Sequence, residues 1–464
     1  MAKKILLIYP KSPVMNREDR CQQPIKDLLV IPPLPPTDLL YLAAIAEKCG
    51  LEAFVRDYSL YGDFEEDLKN IKPDYLVANI ATPTMDNDLQ CFTEAKKILP
   101  DIINIAKGAV FLTYNSEIML KNKAISYIIS GEAEITLEEI LKEETEPKNI
   151  LGIWYRDGFV VKFSGVRPFI EKLDELPFPA RHLIDNNIYR RPDNNKVQAV
   201  IKVSRGCPHH CFFCLATPTS GQKVRMRSPE NIIAEIRECM TKYKINNFIF
   251  WSDIFNQDRE WTMNLCQKII KSGLKFTWSA NTRADTADYR MARLMHKAGC
   301  RLVSIGSESG SQFILDKIGK KITLNEIRDT VKAFKQAHIK IYNYFILGLP
   351  WEDEQTTAAT IDFAIELDTD FVSFYTATPL PGTRYHNFIS KEMHEDIESY
   401  DQAYYSPIVN TYSLSKERIM ELHKIAVRKF YLRPFYILKM LTKIRSLYEI
   451  KSYFLSGIKI LLNR

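Results

Sequence analysis

Between Lys196 and Thr378 the chain repeats one unit, a short apolar run followed by a longer amphipathic stretch. The runs are Val197–Ser204, Asn247–Asp253, Lys275–Arg283, Arg301–Glu308, Lys340–Gly348 and Phe371–Thr378. Between them lie Ser228–Tyr243, Asp258–Lys271, Thr286–Lys297, Thr323–Ala337 and Asp353–Leu367. Apolar runs of this length read as strands buried on both faces, and helices between them point to a parallel sheet. Ser228 before Pro229 and Glu230 is a strong helix start, a cap followed by proline at the first helical position. Six repeats predict a partial (β/α)6 barrel, short of the eight units of a closed one, with chemistry at the carboxyl ends of its strands. The loop Cys207–Cys214 falls at such an end, as do Asp253, Arg283, Glu308 and Gly348.

Residues 1–145 show a looser version of the same alternation. Lys4–Tyr9, Glu52–Asp57, Tyr75–Ile80, Ala109–Thr113 and Ser126–Ile129 read as strands, with Asp38–Cys49 and Asp86–Leu99 among the helices. A doubly wound, Rossmann-like α/β domain is the expectation, with ligands beyond the carboxyl ends of its strands. Its candidate ligand loops are Pro10–Val14, the proline-rich Ile31–Pro36, and Ala81–Thr84; the prolines equally suit loops that are only being stiffened. Residues 146–195 read as a linker with a small hairpin, residues 196–385 as the barrel, and residues 386–464 as a helical tail. Twelve basic residues face three acidic ones from Lys416 onward, although the whole chain carries only +6. The body is therefore close to neutral, which argues against nucleic-acid binding. The tail reads either as a helical cap with a solvated basic face or as an amphipathic surface for anionic lipid or an apolar substrate.

The apolar patch after Lys3 and Lys4 is shorter than the roughly 7–15 residues of a signal-peptide core, so it reads as a first strand. A cytoplasmic setting follows, with peripheral contact to the inner face of the membrane through the tail as a further expectation. There thiols stay reduced, and nine cysteines do not make a disulfide framework. Cys21, Cys49, Cys91, Cys239, Cys266 and Cys300 are isolated. Cys207, Cys211 and Cys214 are not: three residues and then two separate them. A structural zinc site needs a fourth ligand, which His209 or His210 would have to supply beside Cys211. An iron–sulfur cubane on three thiolates instead leaves one iron open to a small molecule.

Cys-x3-Cys-x-Phe-Cys after the first strand of such a repeat resembles the signature of the radical S-adenosylmethionine enzymes. That resemblance implies a [4Fe–4S] cluster on Cys207, Cys211 and Cys214, with S-adenosylmethionine on the open iron and a 5′-deoxyadenosyl radical as its product. Phe250–Phe255, Thr282-Arg283, Gly306–Gly310 and Phe345–Pro350 resemble the strand-end segments that line the cofactor. They imply binding roles for Asp253, Arg283, Glu308, Ser309 and Gly348. The first domain resembles that of the subgroup with an N-terminal cobalamin-binding domain, which holds methyltransferases of unactivated carbon and the anaerobic cyclase of chlorophyll synthesis. Ile31–Pro36, Ala81–Thr84 and Gly131–Glu134 match that subgroup and imply cobalamin contacts from Thr82, Thr84, Gly131 and Glu132. Lys107–Val110 and Leu112–Tyr114 replace its Gly-Gly-Pro-His-like turn, and the Asp-x-His-x-x-Gly signature of cobalt ligation is missing.

The reading is a radical enzyme, with cobalamin-dependent methylation of an unactivated carbon as its outcome. Two alternatives stand beside it: a cyclase, coupling or oxidation enzyme with a non-functional cobalamin domain, and a non-catalytic iron–sulfur or zinc protein. The expected partners are an electron donor such as flavodoxin or ferredoxin and a large apolar substrate, lipid-like or tetrapyrrole-like. No residue stands out as a substrate acid or base.

Overall fold

The computed structural model describes residues 2–462 except 19–20, 25–31, 395–396, 398, 401–405 and 445. Ile31 of the proline-rich loop and Arg445 and Arg464 of the basic tail thus lie outside the described residues.

The first sheet has seven strands. Its spatial order is Glu52–Asp57, Lys4–Tyr9, Tyr75–Asn79, Ile103–Lys107, Tyr127–Ile129, then Ile153–Asp157 and Val160–Phe163. The first five are parallel and the last two antiparallel. Taken by chain position, the parallel part runs 2-1-3-4-5, so the winding reverses between Lys4–Tyr9 and Tyr75–Asn79 and opens a crevice at their carboxyl ends. Two buried clusters, one on each face of the sheet, form the core of this domain.

Two expectations need correction here. The fourth strand is Ile103–Lys107, and Ala109–Leu112 is a 3-10 turn. The strand was hidden because its polar residues are buried. Asn104 donates to the carbonyls of Phe92 at 3.0 Å and Ala124 at 2.9 Å, and Lys107 reaches Asp38 at 2.8 Å. The apolar turn buries its side chains elsewhere, with Ala109 and Leu112 packed on Leu215 and Leu380 of the barrel. The second correction concerns the hairpin at Ile153–Phe163. It continues the first sheet, so that sheet extends past residue 145. The rest of the connection is a strap between the domains: Ala180 N donates to Leu40 O at 3.0 Å, and Arg181 pairs with Glu235 of the helix Pro229–Lys242.

The second sheet holds six parallel strands in sequence order: Ala199–Lys202, Asn247–Trp251, Thr277–Thr282, Cys300–Glu308, Lys340–Leu347 and Phe371–Thr376. The intervening helices pack on its outer side over one large core. Most start with a side-chain cap, such as Ser228, Asp258, Asp288, Thr323 and Asp353. The barrel is open, and an open edge strand exposes unpaired backbone groups. The helix Lys416–Tyr431 answers this along Phe371–Thr376. Tyr431 Oη donates to Val372 O at 2.6 Å and accepts from Val372 N at 3.0 Å, and the His423 ring contacts Phe374 O at 2.8 Å. Beyond it, helices Pro434–Lys443 and Leu447–Leu462 cover the amino-terminal ends of the strands. Tyr436 donates to Asp370 O at 2.7 Å, Lys443 meets Asp370, and Glu449 meets Lys340.

Candidate functional site

The carboxyl ends of the two sheets face each other across a cleft. Asp38, Lys107, Gly131 and Glu134 line it from the first domain, and Lys202, Arg205, Trp251 and Asp253 from the barrel. Each set sits where the winding of its own sheet delivers it. The cysteine loop leaves the first barrel strand beside this cleft.

Gly206 sets the path of that loop. Its φ is +98°, and a Cβ there would stand 2.1 Å from Lys223 O, so only glycine fits. Its N–H donates to Asp253 Oδ2 at 2.7 Å, and Cys207 N donates to Gly221 O at 2.9 Å. Between the second and third cysteines, Phe212 N donates to Ile318 O and Phe212 O accepts from Tyr385 N, at 2.9 and 3.0 Å. The Phe212 ring is buried among Trp351, Tyr385 and Phe388. The loop is thus pinned at its start and between its second and third cysteines.

Cys207 is buried and packs with Cys214 against Ala216 and Ile254. Ala216 N donates to Cys214 Sγ at 3.4 Å. Burial works against the charge of Lys320, but Glu308 and Cys211 outweigh it and raise its pKa above the usual lysine value. The loop thus sets three sulfurs beside a backbone N–H aimed at one of them and a neighbouring ammonium, a donor set that suits an iron–sulfur cluster. Among the described residues no three His, Cys, Asp or Glu side chains are grouped to share a single metal ion. Thiolates bound to different irons of one cluster have no need to meet so closely. His209, the candidate fourth ligand of a zinc site, contacts Gln257 at 3.2 Å instead.

The expected cofactor residues divide into groups. Asp253, Arg283 and Glu308 gather around the cysteine loop. Arg283 is buried, bonds Asp285 Oδ2 at 3.0 Å and donates to Lys320 O. Lys320 Nζ in turn donates to Glu308 Oε1 at 2.7 Å. Glu308 sits at φ +65°, beside a shift in strand register, a conformation that costs a non-glycine residue about 1–3 kcal/mol. Gly306 leaves room for it, since a Cβ there would stand 2.4 Å from Glu308 Oε1. Ser309 turns away: its hydroxyl meets Thr360 at 3.0 Å and accepts from Ser311 N. Gly348, at φ +88°, donates to Glu352 Oε2 at 2.6 Å and packs under Ile419.

In the first domain, Gly131 opens onto the cleft with no atom within 4 Å of where a Cβ would point. Thr82 N donates to Gln22 at 2.8 Å, and its buried hydroxyl has no hydrogen-bond partner among the described residues. The Thr84 hydroxyl donates to Asp88 at 2.8 Å. Glu132 fastens the barrel to this domain, with its oxygens 3.1 Å from Arg205 and 2.9 Å from Arg225. Glu134 adds a second contact to Arg205, the residue just before Gly206. Burial opposes the Glu134 charge, yet Arg205 brings its pKa down to about 2.

Sequence reading missed the polar network on the floor of the crevice. Asp38 accepts from Tyr9, Asn79 and Lys107. Burial would raise its pKa, but Lys107 and Lys202 hold it far below the usual carboxylate range. Arg17, fully buried on the hairpin Met15–Glu18 and Cys21–Pro24, bonds Asp88 at 2.6 and 3.1 Å and Asn79 O at 3.0 Å. No periodic pattern flags such residues; an Asp or Lys at the carboxyl end of a buried strand was the available signal. The chain has no histidine before His182, so the first domain offers cobalt no imidazole.

Comparisons with known proteins agree with this geometry. The family model of the radical SAM superfamily matches residues 201–364. The uncharacterized methyltransferase PH0819 of Pyrococcus horikoshii is 29% identical over 436 residues, covering 89% of this chain and 94% of that protein. The structure is similar to TsrM of Kitasatospora setae, a radical S-adenosylmethionine methyltransferase solved with cobalamin and a [4Fe–4S] cluster. The TM-score is 0.68 at 18% identity, over 84% of this chain and 75% of that one. It is also similar to OxsB, a cobalamin-dependent S-adenosylmethionine radical enzyme solved with aqua-cobalamin and S-adenosylmethionine. There the TM-score is 0.76 at 15% identity, over 98% and 70% of the two chains. At these identities the two structures establish the shared two-domain fold.

Proposed function

From the match of residues 201–364 to the radical SAM superfamily model and the likeness to a methyltransferase over most of the chain, we propose that the protein is a cobalamin-dependent radical S-adenosylmethionine enzyme that methylates an unactivated carbon. One observation carries the proposal: the strand end that leads into the cysteine loop and the crevice of the doubly wound domain line the same cleft. When bound, the cluster would supply the electron that cleaves S-adenosylmethionine, and cobalamin would carry the methyl group.

The protein's own residues hold and shield. Cys207, Cys211 and Cys214 are the cluster ligands. The Lys320–Glu308 and Arg283–Asp285 pairs keep fixed charges beside the cluster. Asp253 secures the loop through Gly206 and faces the cleft, where it is placed to accept from the cofactor's amino group. Gly131 and the Thr82 hydroxyl, for which the described residues supply no hydrogen-bond partner, would contact a corrinoid held by its ring and side chains. Glu132 and Glu134 keep the two binding edges in register by clasping Arg205 and Arg225. The reaction requires a one-electron donor of the flavodoxin or ferredoxin class.

The test is anaerobic reconstitution with iron, sulfide and hydroxocobalamin, followed by gel filtration and addition of dithionite and S-adenosylmethionine. Wild-type protein should retain the cobalamin absorbance and release 5′-deoxyadenosine. Cys211→Ala should retain cobalamin but release none. Loss of cobalamin on the column with 5′-deoxyadenosine still formed would point to another radical outcome. Intact S-adenosylmethionine throughout would leave a non-catalytic iron–sulfur protein.

A further inference from the structure

The last two helices, Pro434–Lys443 and Leu447–Leu462, bury Tyr436 and Met440 against the barrel. Their other face is turned outward. Phe435, Leu438, Leu441, Leu447 and Phe454 are 88, 61, 60, 82 and 66% exposed. Eight of the twenty large hydrophobic side chains exposed among the described residues fall within Phe435–Phe454, so exposed apolar surface concentrates on these two helices. No described helix is long and apolar enough to cross a membrane.

Charge selects the occupant. Beyond Glu421 the only acidic residue is Glu449, which is buried 3.4 Å from Lys340. Lys439 and Lys443 meet Asp368 and Asp370 of the barrel at 2.7 and 2.5 Å, whereas Lys451 stands exposed among the apolar side chains. A second copy laid on this face would bring Lys451 toward its own equivalent, and the nearby exposed acid, Asp368, is already paired to Lys439 and Arg433. An anionic lipid surface offers apolar depth and negative headgroups at the same time.

We propose that this face lies flat on an anionic bilayer, with Phe435, Leu438, Leu441, Leu447 and Phe454 sunk to the headgroup–acyl boundary. The two helices cover the amino-terminal ends of the barrel strands, whereas the cysteine loop and cleft lie at the carboxyl ends. The contact is therefore an anchor that leaves the cleft facing away from the membrane. It is not a route by which lipid enters the site, and it holds whatever reaction the cleft performs.

The experiment is co-sedimentation of the full chain with vesicles of phosphatidylcholine plus phosphatidylglycerol, and with phosphatidylcholine alone. Wild-type protein should pellet with the anionic vesicles, less so as salt rises. Phe435→Ser/Leu438→Ser/Leu441→Ser should lower partitioning by about a hundredfold or more, given the apolar area withdrawn. Leu447→Asp, a single exposed change on the second helix, should also release the protein. Phe159→Ser, at a fully exposed hairpin turn elsewhere, should pellet like wild type. Unfolding midpoints equal to wild type would show that the variants fold. Wild-type protein left in the supernatant, or patch variants pelleting as well as wild type, would overturn the proposal. So would a wild-type dimer in light scattering that the patch variants dissolve, because the face would then be a self-association surface.

Discussion

Glu352 is the sharpest place to test the physical account of the barrel's carboxyl edge. It is fully buried, and its Oε2 accepts from Gly348 N at 2.6 Å and Leu349 N at 3.0 Å. Among the described residues no hydrogen bond reaches Oε1. Burial outweighs those two bonds and pushes its pKa from 4.5 up to about 7. A carboxyl whose pKa is raised by folding stabilises the folded state most below its unfolded value, and that contribution is lost as pH rises through the folded one. The full penalty above neutrality is about 3 kcal/mol, and roughly 2 kcal/mol of it accrues between about pH 5.5 and about pH 8.5. Glu352→Gln keeps the acceptor and cannot ionise. Its amide N–H2 inherits the unpartnered Oε1 position, at a cost of about 1–3 kcal/mol that does not vary with pH. Urea unfolding of the cluster-free protein should therefore show the variant gaining about 2 kcal/mol on wild type across that pH range, whatever the offset at the acid end. Parallel pH profiles for the two proteins would refute the buried-charge argument.

Other consequences follow from the same geometry. Gly206→Ala should fail to take up iron although the barrel still folds, because its Cβ would overlap Lys223 O; visible absorbance after reconstitution reads this. Glu134 lies below its ordinary pKa, so its stabilising contribution is complete above about pH 4.5 and lost as pH falls toward 2. Removing its partner in Arg205→Ala should cost about 3–5 kcal/mol and loosen the two domains, seen as faster proteolysis between residues 146 and 195. Lys320→Met strands the buried Glu308 carboxylate and should shift the cluster's reduction potential in a redox titration while iron content stays near wild type.

Much of the architecture was legible in the chain because it rests on local patterns. Lys4–Tyr9 and Glu52–Asp57 emerge with the bounds their apolar runs suggest. All six barrel strands fall within the runs read for them or a residue from them. Continuous apolar runs between capped helices leave little other choice of partner. Where polar residues are buried, the reading failed. Ile103–Lys107 stays hidden behind the more apolar Ala109–Thr113, since Asn104 and Lys107 look solvated until their partners are seen. The hairpin at Ile153–Phe163 was read correctly as local pairing, but nothing local shows that it docks on Tyr127–Ile129.

The site divides the same way. Three closely spaced cysteines after a strand, on a turn that needs glycine, mark a three-cysteine loop from primary structure alone, because residues this near in sequence stay near one another whatever surrounds them. Which charges stand beside that loop was decided only by folding. Lys320 reaches Glu308 across 12 positions and Arg205 reaches Glu134 across 71, while on the crevice floor of the first domain Arg17 finds Asp88 across 71. Such pairs leave no periodic trace, since each residue alone is an ordinary surface charge. Only the meeting of two sheet edges removes the water that would otherwise make them unremarkable.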